Sequence, residues 1–178
     1  MSSTIAVTLT VFMAVNLVLL LGVVRRLNAL TVSVPAGRSG DGESDPTLPR
    51  AGTRVSGFSA AAFGGDRVTA ADLRGETLVG FFTTGCPPCK SFAGDFMAYA
   101  ATFPGGRRQV FAVISGGSED PAELAALLSP AAQVVVEPPR GPMSSAFGVD
   151  LFPSACTTRD DVITAAEFDV GLLAAVRS

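Results

Sequence analysis

The chain has 178 residues, a net charge of −3 and an isoelectric point near 4.9, so it carries no electrostatic footprint for nucleic acid. It contains no His and no Trp; without His, Ser-His-Asp and Cys-His catalysis and His-ligated metal sites are excluded. Three cysteines are too few for a disulfide framework; a close pair plus a singleton reads as a redox or metal pair.

Residues 5–24 (IAVTLTVFMAVNLVLLLGVV) form a run of twenty residues without a charge. At about 1.5 Å per residue such a helix reaches about 30 Å, the thickness of a bilayer core. The run is longer than a signal-peptide core, no basic stretch precedes it and no small-x-small site follows it, so residues 1–27 are predicted to be an uncleaved transmembrane anchor. Residues 28–54 are rich in Gly, Pro, Ser and Asp with little apolar periodicity, the pattern of a flexible tether.

From residue 55 to 178 the pattern becomes that of a folded α/β domain. Val55–Phe63 and Arg67–Val68 flank a turn at Gly64-Gly65-Asp66, and Thr69–Leu73 is a short helical turn stopped at Gly75. Thr77–Phe82 is predicted as a buried strand. The helix from Cys86 to about Thr102 sets Cys89, Phe92, Phe96 and Tyr99 on one face and ends at Phe103-Pro104-Gly105-Gly106. A second buried strand spans Gln109–Ser115. A helix opens at Asp120-Pro121-Ala122-Glu123 and runs to about Leu128. Gln133–Val136 is a short strand and Ser144–Phe147 a helical turn. Ser154–Thr158 and Val162–Ala165 make a hairpin around Arg159-Asp160-Asp161. The final helix, Phe168–Val176, is predicted to bury Phe168, Leu172, Leu173 and Val176.

The chemistry concentrates in Thr83-Thr84-Gly85-Cys86-Pro87-Pro88-Cys89-Lys90, which follows the apolar run Leu78–Phe82. Two cysteines three apart at a strand-to-helix junction place both sulfurs in one helical turn, within bonding reach. A sulfur at a helix N-terminus faces unpaired N–H groups that favour a thiolate. Pro87 and Pro88 suit the first turn because they have no N–H to leave unpaired there and their φ is fixed near −65°. The rival reading of such a pair, half of a zinc site, needs two further ligands, and only Cys156 remains. No metal and no cofactor beyond the Cys86–Cys89 dithiol is expected. Cys156 reads as inert core, with a third redox thiol as the alternative.

This motif, the strand–helix–strand–hairpin–helix order and Phe152-Pro153 before a strand together resemble the thioredoxin superfamily. CPPC followed by a basic residue resembles its membrane-tethered TlpA/ResA-type branch. Arg25-Arg26 and Pro35-Ala36-Gly37 after the span are similar to methylamine-utilisation-type members. The resemblance covers roughly residues 55–178. It implies a thioredoxin-like fold, a central mixed sheet flanked by helices, behind one N-terminal membrane helix. It implies that Cys86 attacks a substrate disulfide and that Cys89 resolves the mixed disulfide. It also implies a cis bond at Phe152–Pro153, facing the dithiol, with Phe152 pairing with a bound substrate strand; Thr84 and Gly85 support the site. Two positions depart from the family. The aromatic before the first cysteine is Gly85, and the buried carboxylate six residues before it, which assists proton transfer, is Gly80. Asp95 and Glu76 are candidate substitute bases, and Lys90 is read as a surface residue.

The implied activity is reduction of disulfides in extracytoplasmic proteins, with re-reduction by a membrane thiol donor of the CcdA/DsbD type. The resemblance places the domain outside the cell membrane; Arg25 and Arg26, by the positive-inside rule, place it in the cytoplasm. Two other functions stay open. Thr83-x-x-Cys86 is similar to the peroxiredoxin T-x-x-C, although the expected Pro is Val79. A tethered thioredoxin fold can also serve as a non-catalytic binding module.

Overall fold

The structure is a computed structural model that describes residues 48–117 and 119–177, together with Met13. The chain divides into units Met1–Glu43 and Ser44–Ser178, and the fold belongs to the second. The predicted span at residues 5–24 and most of the predicted tether lie outside the described residues. Among the described residues no helix is long and apolar enough to cross a membrane.

Eleven helices and strands follow Gly52, beside two short helical turns at Ala70–Leu73 and Gly106–Gln109. They are β1 (Ser59–Ala61), β2 (Arg67–Thr69), β3 (Glu76–Thr83), α1 (Pro87–Ala100), β4 (Val110–Ser115), α2 (Ala122–Leu128), β5 (Gln133–Glu137), α3 (Pro142–Phe147), β6 (Ser154–Arg159), β7 (Val162–Glu167) and α4 (Val170–Arg177). Strands β1 and β2 form a small antiparallel ribbon. The main sheet has the order β5-β4-β3-β6-β7, with β3, β4 and β5 parallel and β6 and β7 antiparallel.

The central strands are apolar at almost every position because both faces of the sheet are covered. Their side chains alternate between two cores. Leu78, Phe82, Val110, Ala112, Ile114 and Ala155 point to one face, where α1, α2 and α4 pack. Val79, Phe81, Phe111, Val113 and Cys156 point to the other, where α3 and the β1–β2 ribbon pack. On the first face Phe82 meets Phe92 and Phe96 edge-on, with ring centroids 5.7 and 5.4 Å apart; each such pair adds about 0.5–1.5 kcal/mol beyond burial.

The β6–β7 hairpin turns through Asp160 and Asp161, at φ 48° and 67°, where a short polar side chain tolerates the left-handed conformation. Asp160 accepts a hydrogen bond from the Gly75 amide at 2.8 Å, and Asp161 pairs with Arg54.

The last helix corrects the sequence reading. Phe168, Leu172 and Val176 are exposed, and Val170 and Leu173 are the residues it buries. Phe168 precedes the helix, which starts at Val170, so the apolar stripe counted from Phe168 has the wrong phase.

Glu137 closes β5 and is only 5% exposed. Its two carboxylate oxygens accept the amides of Met143 and Ser144, each at 2.8 Å, and so cap α3. Removing the carboxylate strands two buried donors. Glu137→Ala is therefore expected to cost about 3 kcal/mol, with Glu137→Gln, which keeps one acceptor, falling between. Urea unfolding with an unchanged m value measures this; a loss below about 1 kcal/mol would show that water replaces the carboxylate.

Candidate active site

Strand β3 delivers the dithiol. Its parallel pairing with β4 ends at Thr83↔Ser115, and the chain then turns through Thr84 and Gly85 into α1. Gly85 has φ 70°, a left-handed conformation that a side chain with a Cβ rarely adopts, so the aromatic usual at this position does not suit the turn. Cys86 is the N-cap of α1, and Pro87 and Pro88, both exposed, fill the first turn. The Cys89 amide donates to the Cys86 carbonyl at 3.0 Å, which closes that turn.

Both thiols are free. The Cys89 thiol donates to Cys86 Sγ across 2.7 Å, so joining them at the disulfide distance of about 2.05 Å needs only a small closure. Cys86 is partly exposed and Cys89 is 1% exposed. One sulfur thus meets solvent and the other waits beneath it. Burial, then the hydrogen bond to Cys86, push the Cys89 thiol up to about 12, against a smaller lowering from a backbone hydrogen bond with Thr83.

This predicts a pH dependence for the second chemical step. Below its raised pKa, Cys89 gains thiolate tenfold per pH unit, and only the thiolate attacks. Resolution of a mixed disulfide preformed on Cys86 is expected to speed up about tenfold per unit between pH 7 and pH 9 in single-turnover thiol release. A flat profile would show that a neighbouring carboxylate already takes the proton.

Two threonine hydroxyls fasten this turn to the loop after β4. Thr83 donates to the Gly116 carbonyl at 3.3 Å, and Thr84 Oγ1 accepts the Glu119 amide at 3.2 Å. A cleft of about 340 Å³ opens where that loop and α2 pass the dithiol. Cys86, Cys89 and Lys90 line one side, and Glu119, Asp120, Glu123, Leu124 and Leu127 the other.

The Phe152–Pro153 bond is cis, as expected. The register Phe81↔Ser154 brings Pro153 beside the end of β3, and Phe152 packs against the same core cluster as Cys86. Phe152 and Pro153 do not line the cleft; they lie at the entry of β6, on the opposite side of β3 from β4.

Neither candidate base is at the site. Glu76 opens β3, at the opposite end from Cys86, a separation of about 20 Å at the rise of a strand. Asp95 is exposed on α1, six residues beyond Cys89 and well into the helix. Gly80 faces α1, and a Cβ there would lie 2.5 Å from Phe96 and 2.8 Å from Phe82; phenyl rings fill the space a carboxylate would need. The carboxylates beside the dithiol are instead Glu119, Asp120 and Glu123; in the sequence Asp120 and Glu123 read only as a helix start, and Glu119 carries no signal of its own. Lys90 is exposed, as read, and lines the cleft. Cys156 pairs with Val79 and points into the second core, with the sheet between it and the dithiol; burial raises its pKa. Its position is that of a core packing residue.

A five-stranded mixed sheet, a dithiol at the N-terminus of the helix after its central strand and a cis-proline at the neighbouring strand's entry define a thioredoxin fold. No protein-family model and no curated protein sequence matches the chain. Solved structures do match in fold. The chain is similar to the exposed lipoprotein thioredoxin of Streptococcus pneumoniae strain TIGR4, at 17% identity and a TM-score of 0.53 over 68% of this chain and 98% of that one. It is similar to a secreted Mycobacterium tuberculosis disulfide oxidoreductase described as homologous to E. coli DsbE, at 18% identity and 0.51 over 67% and 94%. StoA from Bacillus subtilis matches at 14% identity and 0.50, over 70% and 98%.

Proposed function

We propose that this chain is a membrane-tethered thiol–disulfide oxidoreductase that reduces disulfides of extracytoplasmic proteins. The observation that carries the reading is the pair of free sulfurs 2.7 Å apart, one partly exposed and one buried. The Cys86 thiolate attacks one sulfur of a substrate disulfide. A Cys86–substrate disulfide forms, and the other substrate sulfur leaves as a thiolate that takes up a proton. Cys89 then loses its proton and attacks Cys86 Sγ. The second substrate thiolate leaves, and the Cys86–Cys89 disulfide forms. Two electrons pass from the dithiol to the substrate, and a dithiol donor restores the reduced pair. A membrane donor of the CcdA/DsbD type suits a tethered domain, and the secreted and lipoprotein character of the neighbours named above supports an extracytoplasmic setting.

The test is turnover of a peptide disulfide by the full chain, with dithiothreitol as the regenerating reductant. Catalysis well above the dithiothreitol background supports the reading. A rate equal to background, from protein whose thiols are accessible to alkylation, would leave the fold as a binding module.

A further inference from the structure

Of the charged groups lining the cleft beside the dithiol, three are carboxylates and one is the Lys90 ammonium. The Asp120 carboxylate is engaged, accepting the Ala122 amide at 2.9 Å. The Glu119 and Glu123 side chains have neither an ion pair nor a hydrogen bond among the described residues. The three acids do not gather into a group able to hold a metal ion. They stand instead as a wall along an open cleft. Its apolar lining includes Leu124 and Leu127, the latter 50% exposed despite its size. The loop that carries the wall is held to the active-site turn through Thr84, so wall and sulfur keep a fixed spacing.

We infer that this cleft selects target disulfides flanked by basic residues, with Glu119 and Glu123 as the specificity-determining side chains. The inference rests on the thiol–disulfide activity proposed above. An extended target segment that offers its sulfur to Cys86 places the residues two positions away about 6.6 Å along the strand, on the same face. In one direction along the cleft that neighbour meets the acidic wall and the leucines. An Arg or Lys there gains attraction from two unpaired carboxylates, and its apolar stem covers Leu127. A Glu there meets like charge at the same place. Exposed pairs are individually weak, so two of them separate basic from acidic targets by roughly tenfold, most strongly at low salt.

The experiment uses the full chain and three synthetic peptides that each hold one internal disulfide, flanked by Arg, by Gln or by Glu. Each kcat/KM is divided by the peptide's rate with dithiothreitol alone, which removes its intrinsic reactivity. The expected order is Arg, Gln, Glu, spanning about tenfold at low ionic strength and shrinking severalfold at 0.3 M salt. Glu119→Gln/Glu123→Gln should bring the Arg-to-Glu ratio to about one while the midpoint potential of the dithiol stays put. A ratio near one in the unaltered protein, with the Gln peptide still reduced, overturns the inference and spares the activity. A ratio that survives the double substitution overturns it as well. Failure to reduce any of the three peptides removes the activity, and the inference with it.

Discussion

Cys86→Ser should abolish turnover, by about a thousandfold or more, because the substituted hydroxyl has no thiolate to offer. Cys89→Ser should behave differently. Cys86 is the sulfur that reaches solvent, and Cys89 lies beneath it at 1% exposure. The first attack therefore survives and the second is lost, so the variant accumulates as a covalent complex with its substrate. Intact mass spectrometry after non-reducing quench reads this directly: an added substrate mass on Cys89→Ser and none on Cys86→Ser. Cys156→Ala serves as the control. It lies across the sheet from the pair and should keep full turnover while losing about 1 kcal/mol of stability from the small cavity. The reverse pattern, trapping on Cys86→Ser, would exchange the roles of the two sulfurs. Loss of turnover in a stable Cys156→Ala protein would make the third thiol a participant.

Gly80→Asp should cost the domain most or all of its stability. The substitution places a carboxylate where the thioredoxin resemblance expects one, but the first atom of the new side chain already lies 2.5 Å from Phe96 and 2.8 Å from Phe82. Overpacking a filled core costs about 1–3 kcal/mol. An unpaired carboxylate among phenyl rings adds several more, whether as charge burial or as forced protonation. The sum approaches the 5–15 kcal/mol, roughly, that holds a typical domain together. The expected observation is loss of the cooperative thermal transition in Gly80→Asp. Gly80→Ala should melt cooperatively at a lower temperature, since a methyl group asks only for ring displacement. A folded Gly80→Asp protein that resolves mixed disulfides faster than the parent would contradict this account, because it would show room for a base beside Cys89.

What was legible in the sequence was local. The spacing of Cys86 and Cys89, the apolar runs of β3 and β4 and the Phe152-Pro153 step each carry their own signal within a few residues. The sheet follows from them because β3 and β4 are buried on both faces. Less legible were features set by packing. Gly80 and Gly85 look like departures from a pattern until the ring of Phe96 and a φ of 70° account for them. The acidic wall comes from a loop and helix about thirty residues beyond the dithiol, and a run such as Glu119–Glu123 reads equally well as a helix opening. The exposed face of α4 was misjudged because three large apolar residues fit a helical spacing that begins two residues before the helix does.

The central claim is that Cys86 and Cys89 form a two-electron couple poised to reduce substrates. Equilibrating the full chain in graded dithiothreitol buffers and trapping free thiols by alkylation measures it most directly. The account predicts a single two-electron transition with a midpoint of about −220 mV or below, in the direction of thioredoxin at about −270 mV. A midpoint near the roughly −120 mV of DsbA would make the protein a disulfide donor, and the absence of any two-electron transition would contradict the redox reading altogether.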